Sequence, residues 1–182
     1  MWIMKHRFTA AVVILAAVAT SVGVAIAQQG GPDVVSPNGI AMSEFKGYEG
    51  WRLIAPSVPS DGIKVILGNS VMMQAYHDDV ITNGKGVPDG AVMAKIAWTA
   101  RANPYLPGAM APDTLRKVQF MVKDAKRFPD TDGWGYADFG YDIASGRFKA
   151  MGNGAGFAKT ACHECHTRVR ARDFVFTDFA RR

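Results

Sequence analysis

Cysteine is nearly absent: the 182-residue chain holds two, at positions 162 and 165. A disulfide-stapled scaffold is excluded, and attention falls on a single pair three positions apart. Charge is sparse, with 20% of residues charged and a formal net charge of +5. Two of the positives, Lys5 and Arg7, stand at the N-terminus. Without them 19 Lys+Arg face 16 Asp+Glu, an excess of +3. That excess is too small and too dispersed for a nucleic-acid binder. Long apolar runs are missing after residue 27, so no later segment reads as a membrane span. No internal repeat is present. What remains is 48% hydrophobic, a globular proportion that excludes disorder. Nineteen Gly and nine Pro are scattered through it, which sits badly with a bundle of long helices.

The first 27 residues read as a signal peptide. Lys5, His6 and Arg7 form a basic start, Phe8 to Ala27 is uncharged, and Ala25-Ile26-Ala27 is a small-x-small cleavage site. Cleavage there leaves 155 residues (182 minus 27) in an exported compartment, in a bacterium the periplasm. The alternative is an uncleaved membrane anchor, against which Gly23 interrupts the run. Residues 28–45 are expected to be a flexible lead-in, with their Gly-, Pro- and Ser-rich part before residue 40, and 46–182 a single domain.

Within the domain the pattern is dominated by strands. Trp51 to Ala55 is a short strand ended by Pro56, and Ile63 to Leu67 a second. Asn69 and Ser70 are N-cap residues for a helix over 71–82, stopped by Asn83-Gly84. Val87 to Gly90 is a turn and Ala91 to Trp98 a strand. Residues 103–112 hold three prolines and read as a loop. Leu115 to Lys123 alternates, with Val118, Phe120 and Val122 on one face and Gln119, Met121 and Lys123 on the other. Gly133 to Tyr141 is aromatic-rich and strand-like. Short helical pieces are expected near the ends.

Chemistry concentrates in Cys162-His163-Glu164-Cys165-His166. This is C-x-x-C-H, the attachment pattern of haem c. Two thiols three residues apart on a turn reach the vinyl groups on one side of a porphyrin, and the next histidine meets the iron. Zinc is an alternative, but four ligands within five residues crowd a tetrahedron. A redox C-x-x-C is another, without a thioredoxin-like βαβ context around it. A sixth iron ligand is not evident. No Met follows His166; Met72, Met73, Met93, Met110, Met121 and Met151 precede it, each more naturally a core filler. His77 stands beside Asp78 and Asp79 as a solvated helix end. An open sixth position binds small molecules; a closed one transfers electrons.

The chain resembles the cytochrome P-460 family, whose sister group is the beta-type cytochromes c-prime. The resemblance runs from about Tyr48 to Phe179. It rests on Gly50-Trp51-Arg52, on Pro88-Asp89-Gly90 followed by Ala91 to Lys95, on Val122 to Phe128, on Gly133 to Tyr136, on the C-terminal position of C-x-x-C-H, and on Asp173 to Thr177. It implies an α+β fold, mainly an antiparallel sheet with flanking helices, a homodimer, and one covalent haem c per chain held by Cys162, Cys165 and His166. Lys95 matches the lysine that is also bonded to haem in the family's hydroxylamine oxidisers; a lysine desolvated against a porphyrin edge loses its proton and becomes a nucleophile. Period two puts Lys95 with Met93 and Ala97, and does not say which face meets haem.

The resemblance also implies a distal carboxylate, and its position falls at Gln119. An amide bonds hydrogen but does not take up a proton. The c-prime relatives cap the iron with aromatics, for which Phe120, Phe128, Trp98 and Trp134 are available. Arg168, Arg170 and Arg172 suit haem propionates, an acidic redox partner or a solvated strand face. The expected function is binding of hydroxylamine or nitric oxide at haem iron in the periplasm. Hydroxylamine oxidation would pass electrons to a soluble acceptor. The alternatives are nitric oxide binding without turnover and simple electron transfer.

Overall fold

The computed structural model describes residues 33–180, and the expected signal peptide lies outside that range. Six strands form one antiparallel sheet in chain order: β1 (Arg52–Ser57), β2 (Ile63–Gly68), β3 (Val92–Ala102), β4 (Met110–Lys123), β5 (Trp134–Asp142) and β6 (Arg147–Ala150). Each neighbour is joined by a local connection, the simplest topology for a sheet rich in turn residues. The architecture is α+β, as expected.

Alternation along the strands sends side chains to two separate clusters. Met93, Trp134 and Tyr136 join one, with Ile54, Ile66 and the helical residues Met72, Met73 and Ile81. Ala94, Ile96, Val118, Phe120, Val122, Ala137 and Phe139 join the other. That second face is covered by residues 33–51. Ile40 and Phe45 are buried, and the Phe45 ring stacks on Phe120 at 4.0 Å. Residues 33–45, read from composition as a lead-in, thus pack onto the sheet where they are described, because their few apolar side chains cap an otherwise bare face.

Helix α1 (Ser70–His77) starts where expected: Asn69 Oδ1 accepts the Met72 N–H at 2.9 Å. The same oxygen accepts Val92 N–H at 3.1 Å, tying the helix to the start of β3. The single helix over 71–82 is in fact two. Asp79 adopts a left-handed conformation (φ 54°) and separates α1 from α2 (Val80–Asn83), a conformation that Asp tolerates better than most residues. Two prolines expected to end or avoid strands lie within them. Pro56 pairs with Val65 in β1, an edge strand where the missing N–H faces no neighbour. Pro112 lies near the start of β4, opposite Ala100 beside a bulge. Strand β6 alternates charged and apolar residues over only four positions and follows a turn at Gly146 (φ 66°). Gly135 admits no side chain: a Cβ there would meet the Phe128 ring at 2.3 Å.

Candidate functional site

The C-terminal segment crosses the face bearing Met93 and Tyr136. A π-helical turn (Ala158–His163) runs into α3 (Glu164–His166) and a 3-10 turn (Thr167–Arg172). The chain then reverses through two consecutive left-handed residues, Asp173 (φ 47°) and Phe174 (φ 64°). Non-glycine residues adopt this conformation at a cost, so the surroundings must hold it. They do. The Asp173 carboxylate accepts from Lys123 Nζ at 2.9 and 3.0 Å, from Trp134 Nε1 at 3.2 Å and from Val87 N at 2.6 Å. Beyond the reversal the chain runs back past α1, where Tyr76 donates to the Thr177 carbonyl at 2.8 Å, and Ala180 N–H donates to Ile54 of β1 at 3.0 Å.

The reversal places the Phe174 carbonyl 2.7 Å from His166 Nδ1. A carbonyl only accepts, so Nδ1 carries the hydrogen and Nε2 keeps its lone pair. Burial lowers the His166 pKa below its usual 6.5, which favours the same neutral ring. Tyr136 and Phe176 flank it, with ring centroids at 5.1 and 4.9 Å. His163 points elsewhere. Its Nε2 lies 3.0 Å from Asp132 and its Nδ1 3.2 Å from the Tyr136 hydroxyl. The two histidines therefore do not converge with the cysteines on one point. Among the described residues no group of three or more His, Cys, Asp or Glu side chains is arranged to hold a metal ion. The four-ligand zinc arrangement is not formed.

A cavity of about 650 Å³ lies between this segment and the sheet. Cys162, Cys165 and His166 line one side; Lys64, Ile66, Met93, Lys95, Gln119, Met121 and Tyr136 line the other. The face question left open by periodicity has a clear answer: Lys95 faces the cysteine motif. Lys95 pairs across the strands with Gln119, and Met93 with Met121. Among the described residues the Lys95 amine has no hydrogen bond or ion pair. Burial, then the charges of Lys64 and Lys117, pull its pKa below the ordinary lysine value, against a smaller opposing pull from Asp138. Lys64 is paired with Asp61 at 3.2 Å and Lys117 with Asp138 at 2.9 Å. Cys162 is pushed up, chiefly by burial and next by Asp138. Both cysteines are free thiols.

The donor set fits a haem c. Two free thiols and an imidazole with an available Nε2 share one wall of a cavity of cofactor size. The Phe174 carbonyl supplies the hydrogen bond that orients such a ligand.

Gln119 is at the cavity, as the resemblance implied, and Phe120 is not an iron cap. Phe120 borders the cavity only as part of the sheet wall; its ring is buried against Phe45 and Phe139 on the opposite face. Period two decides this, since Gln119 and Phe120 are neighbours in one strand. Phe128 and Trp98 pack on that same opposite face. Trp134 is fully buried, with its indole N–H on Asp173. Of the methionines, Met93 and Met121 line the cavity; Met72 and Met73 are core, and Met110 and Met151 are exposed. The three arginines lie on a helical turn rather than a strand, and none lines the cavity.

Sequence reasoning missed Asp138, and it assigned no place at the site to Tyr136 or to Val175–Thr177, which entered only as part of the resemblance. Asp138 had a signal, a carboxylate in the middle of the aromatic-rich β5, four residues before the Asp142 that ends it.

A comparison with curated proteins found no match. The family model described as Cytochrome P460 matches residues 45–177, which include the whole sheet, the cysteine motif and every residue lining the cavity except Asp178. The chain therefore belongs to the cytochrome P460 family, whose members are haem c cytochromes.

Proposed function

We propose that this protein is a periplasmic, mono-haem c-type cytochrome that binds hydroxylamine at its haem iron and oxidises it. Cys162 and Cys165 would form the thioether bonds and His166 would supply the proximal nitrogen. The haem, when bound, supplies an iron that takes a small nitrogen ligand and a porphyrin that accepts its electrons. The carrying observation is Lys95, an unpaired amine with a lowered pKa that faces the cysteine motif across the cavity. An amine so placed gives up its proton more readily than a solvated lysine, and it is the residue suited to a third covalent bond to haem. Met93, Met121 and Tyr136 would exclude water around the ring, and electrons would leave to a soluble acceptor. Export, a homodimer and one haem per chain belong to the same reading.

Nitric oxide binding without turnover is the second reading. It is favoured by the absence of turnover chemistry at Gln119, whose amide lines the cavity and cannot take up the protons that hydroxylamine oxidation releases.

The test is peptide mapping by mass spectrometry of protein matured with the haem c machinery. The Lys95 peptide is expected to travel with the haem-bearing Cys162–His166 peptide. Haem on the motif peptide alone would withdraw the cross-link and leave the gas-binding reading. An N-terminus at Gln28 is expected in the same spectra.

A further inference from the structure

A row of paired residues crosses four strands at the cavity wall, and its last three members are polar. Ile66 pairs with Lys95, Lys95 with Gln119, and Gln119 with Asp138. Asp138 is the unexpected member, a carboxylate only 8% exposed within a buried strand. Its Oδ2 accepts from Lys117 Nζ at 2.9 Å and from Gln119 Nε2 at 2.7 Å, while its Oδ1 is buried and has no partner among the described residues. A carboxylate only accepts, so it takes the NH₂ end of the Gln119 amide. The amide is planar, and with Nε2 held on Asp138 its carbonyl Oε1 turns away from that side. Gln119 lines the cavity and Asp138 does not. Lys117 Nζ donates to Asp138, and among the described residues it makes no bond to Oε1.

We propose that Asp138 is a positioning residue that locks the Gln119 amide with its carbonyl toward the cavity. The cavity thereby meets its ligand with a hydrogen-bond acceptor. It favours nitrogen ligands that carry their own hydrogens, such as hydroxylamine, over those that carry none, such as nitric oxide. The inference rests on the reading of this cavity as a haem-ligand site. Specificity of this kind comes from leaving an acceptor unpaired when the wrong ligand binds.

The experiment uses the haem-loaded full chain, held ferric and without oxygen or electron acceptor. Hydroxylamine and nitric oxide are titrated separately and followed in the Soret band. One lost hydrogen bond corresponds to a factor of about five to ten in affinity. Gln119→Leu is expected to lower the hydroxylamine-to-nitric-oxide affinity ratio by about that factor. Asp138→Leu is expected to lower it at least as far, because Lys117 is then free to take Oε1 and turn the NH₂ inward. The double variant is expected to match Gln119→Leu alone, since Asp138 acts only through Gln119. An unchanged ratio in Asp138→Leu overturns the proposal, as does a double variant whose loss is the product of the two single losses.

A second measurement needs no Asp138 variant. The N–O stretch of the ferrous nitrosyl is expected to be the same in the wild type and in Gln119→Leu. A lower stretch in the wild type would show a donor at the ligand and overturn the lock. If neither ligand perturbs the haem spectrum, the haem-ligand reading itself fails and the inference falls with it. If both bind while the ratio ignores Asp138, only the inference fails.

Discussion

Replacing Asp173 with Ala is expected to be among the most damaging single changes away from the cysteine motif. The side chains of Asp173 and Lys123 are 13% and 12% exposed, so their ion pair is largely out of water. Removing one partner of a buried pair costs about 3–5 kcal/mol, because the other charge is left desolvated. Lys123 keeps one bond, to the Asp132 carbonyl at 3.2 Å, and a position over the Trp134 ring. The Trp134 N–H and the Val87 N–H also lose their acceptor, at about 1 kcal/mol each. Ala further tolerates φ 47° less well than Asp. The expected loss is about 5–7 kcal/mol, against a total stability of about 5–15 kcal/mol. For a domain of this size that is a fall in melting temperature of about 10–20 °C. Urea and thermal unfolding followed by circular dichroism measure it directly. The double variant Asp173→Asn with Lys123→Met should be less destabilised than Asp173→Ala, because no charge is left buried alone. A loss below about 1 kcal/mol in Asp173→Ala would refute the reasoning and show that the clamp is not what holds the reversal.

Lys95→Met is expected to stabilise the haem-free chain at pH 7, because the charged amine is held in a desolvated place. Its folded pKa lies below 10.5, so between the two values the unfolded chain binds more protons and stability rises with pH. The gain from Lys95→Met should therefore shrink as pH rises toward 10.5, as urea midpoints across pH will show. His166 follows the same sign: its lowered pKa predicts that the haem-free chain loses stability as pH falls below about 6.5, and His166→Phe should flatten that slope. Gly135→Ala drives a methyl into the Phe128 ring and should cost about 1–3 kcal/mol by overpacking, readable as a lower urea midpoint. Cys165→Ala should lower the haem that stays with the chain on a denaturing gel, with the remainder held through Cys162.

Much of this protein follows from local pattern alone. Asn69 caps a helix because its side chain reaches the N–H three residues on, and that needs no distant partner. The alternation of Val118, Phe120 and Val122 against Gln119 and Met121 separates the two faces of β4, since successive side chains in a strand must oppose each other. The spacing of Cys162, Cys165 and His166 is legible because the haem chemistry is written within five consecutive residues.

What local pattern does not contain is which face meets which segment. Lys95 faces the cysteine motif because β2, β3, β4 and β5 are in register and the C-terminal segment crosses that one face; nothing near residue 95 records either fact. Asp138 acquires its meaning only from Gln119 and Lys117 on the adjacent strand. The packing of residues 33–45 and the left-handed pair at Asp173 and Phe174 depend on contacts far along the chain. Spacing along the chain determined the identity of the cysteine motif. Tertiary structure alone decided what surrounds it, because a cavity wall is assembled from residues that the backbone keeps apart.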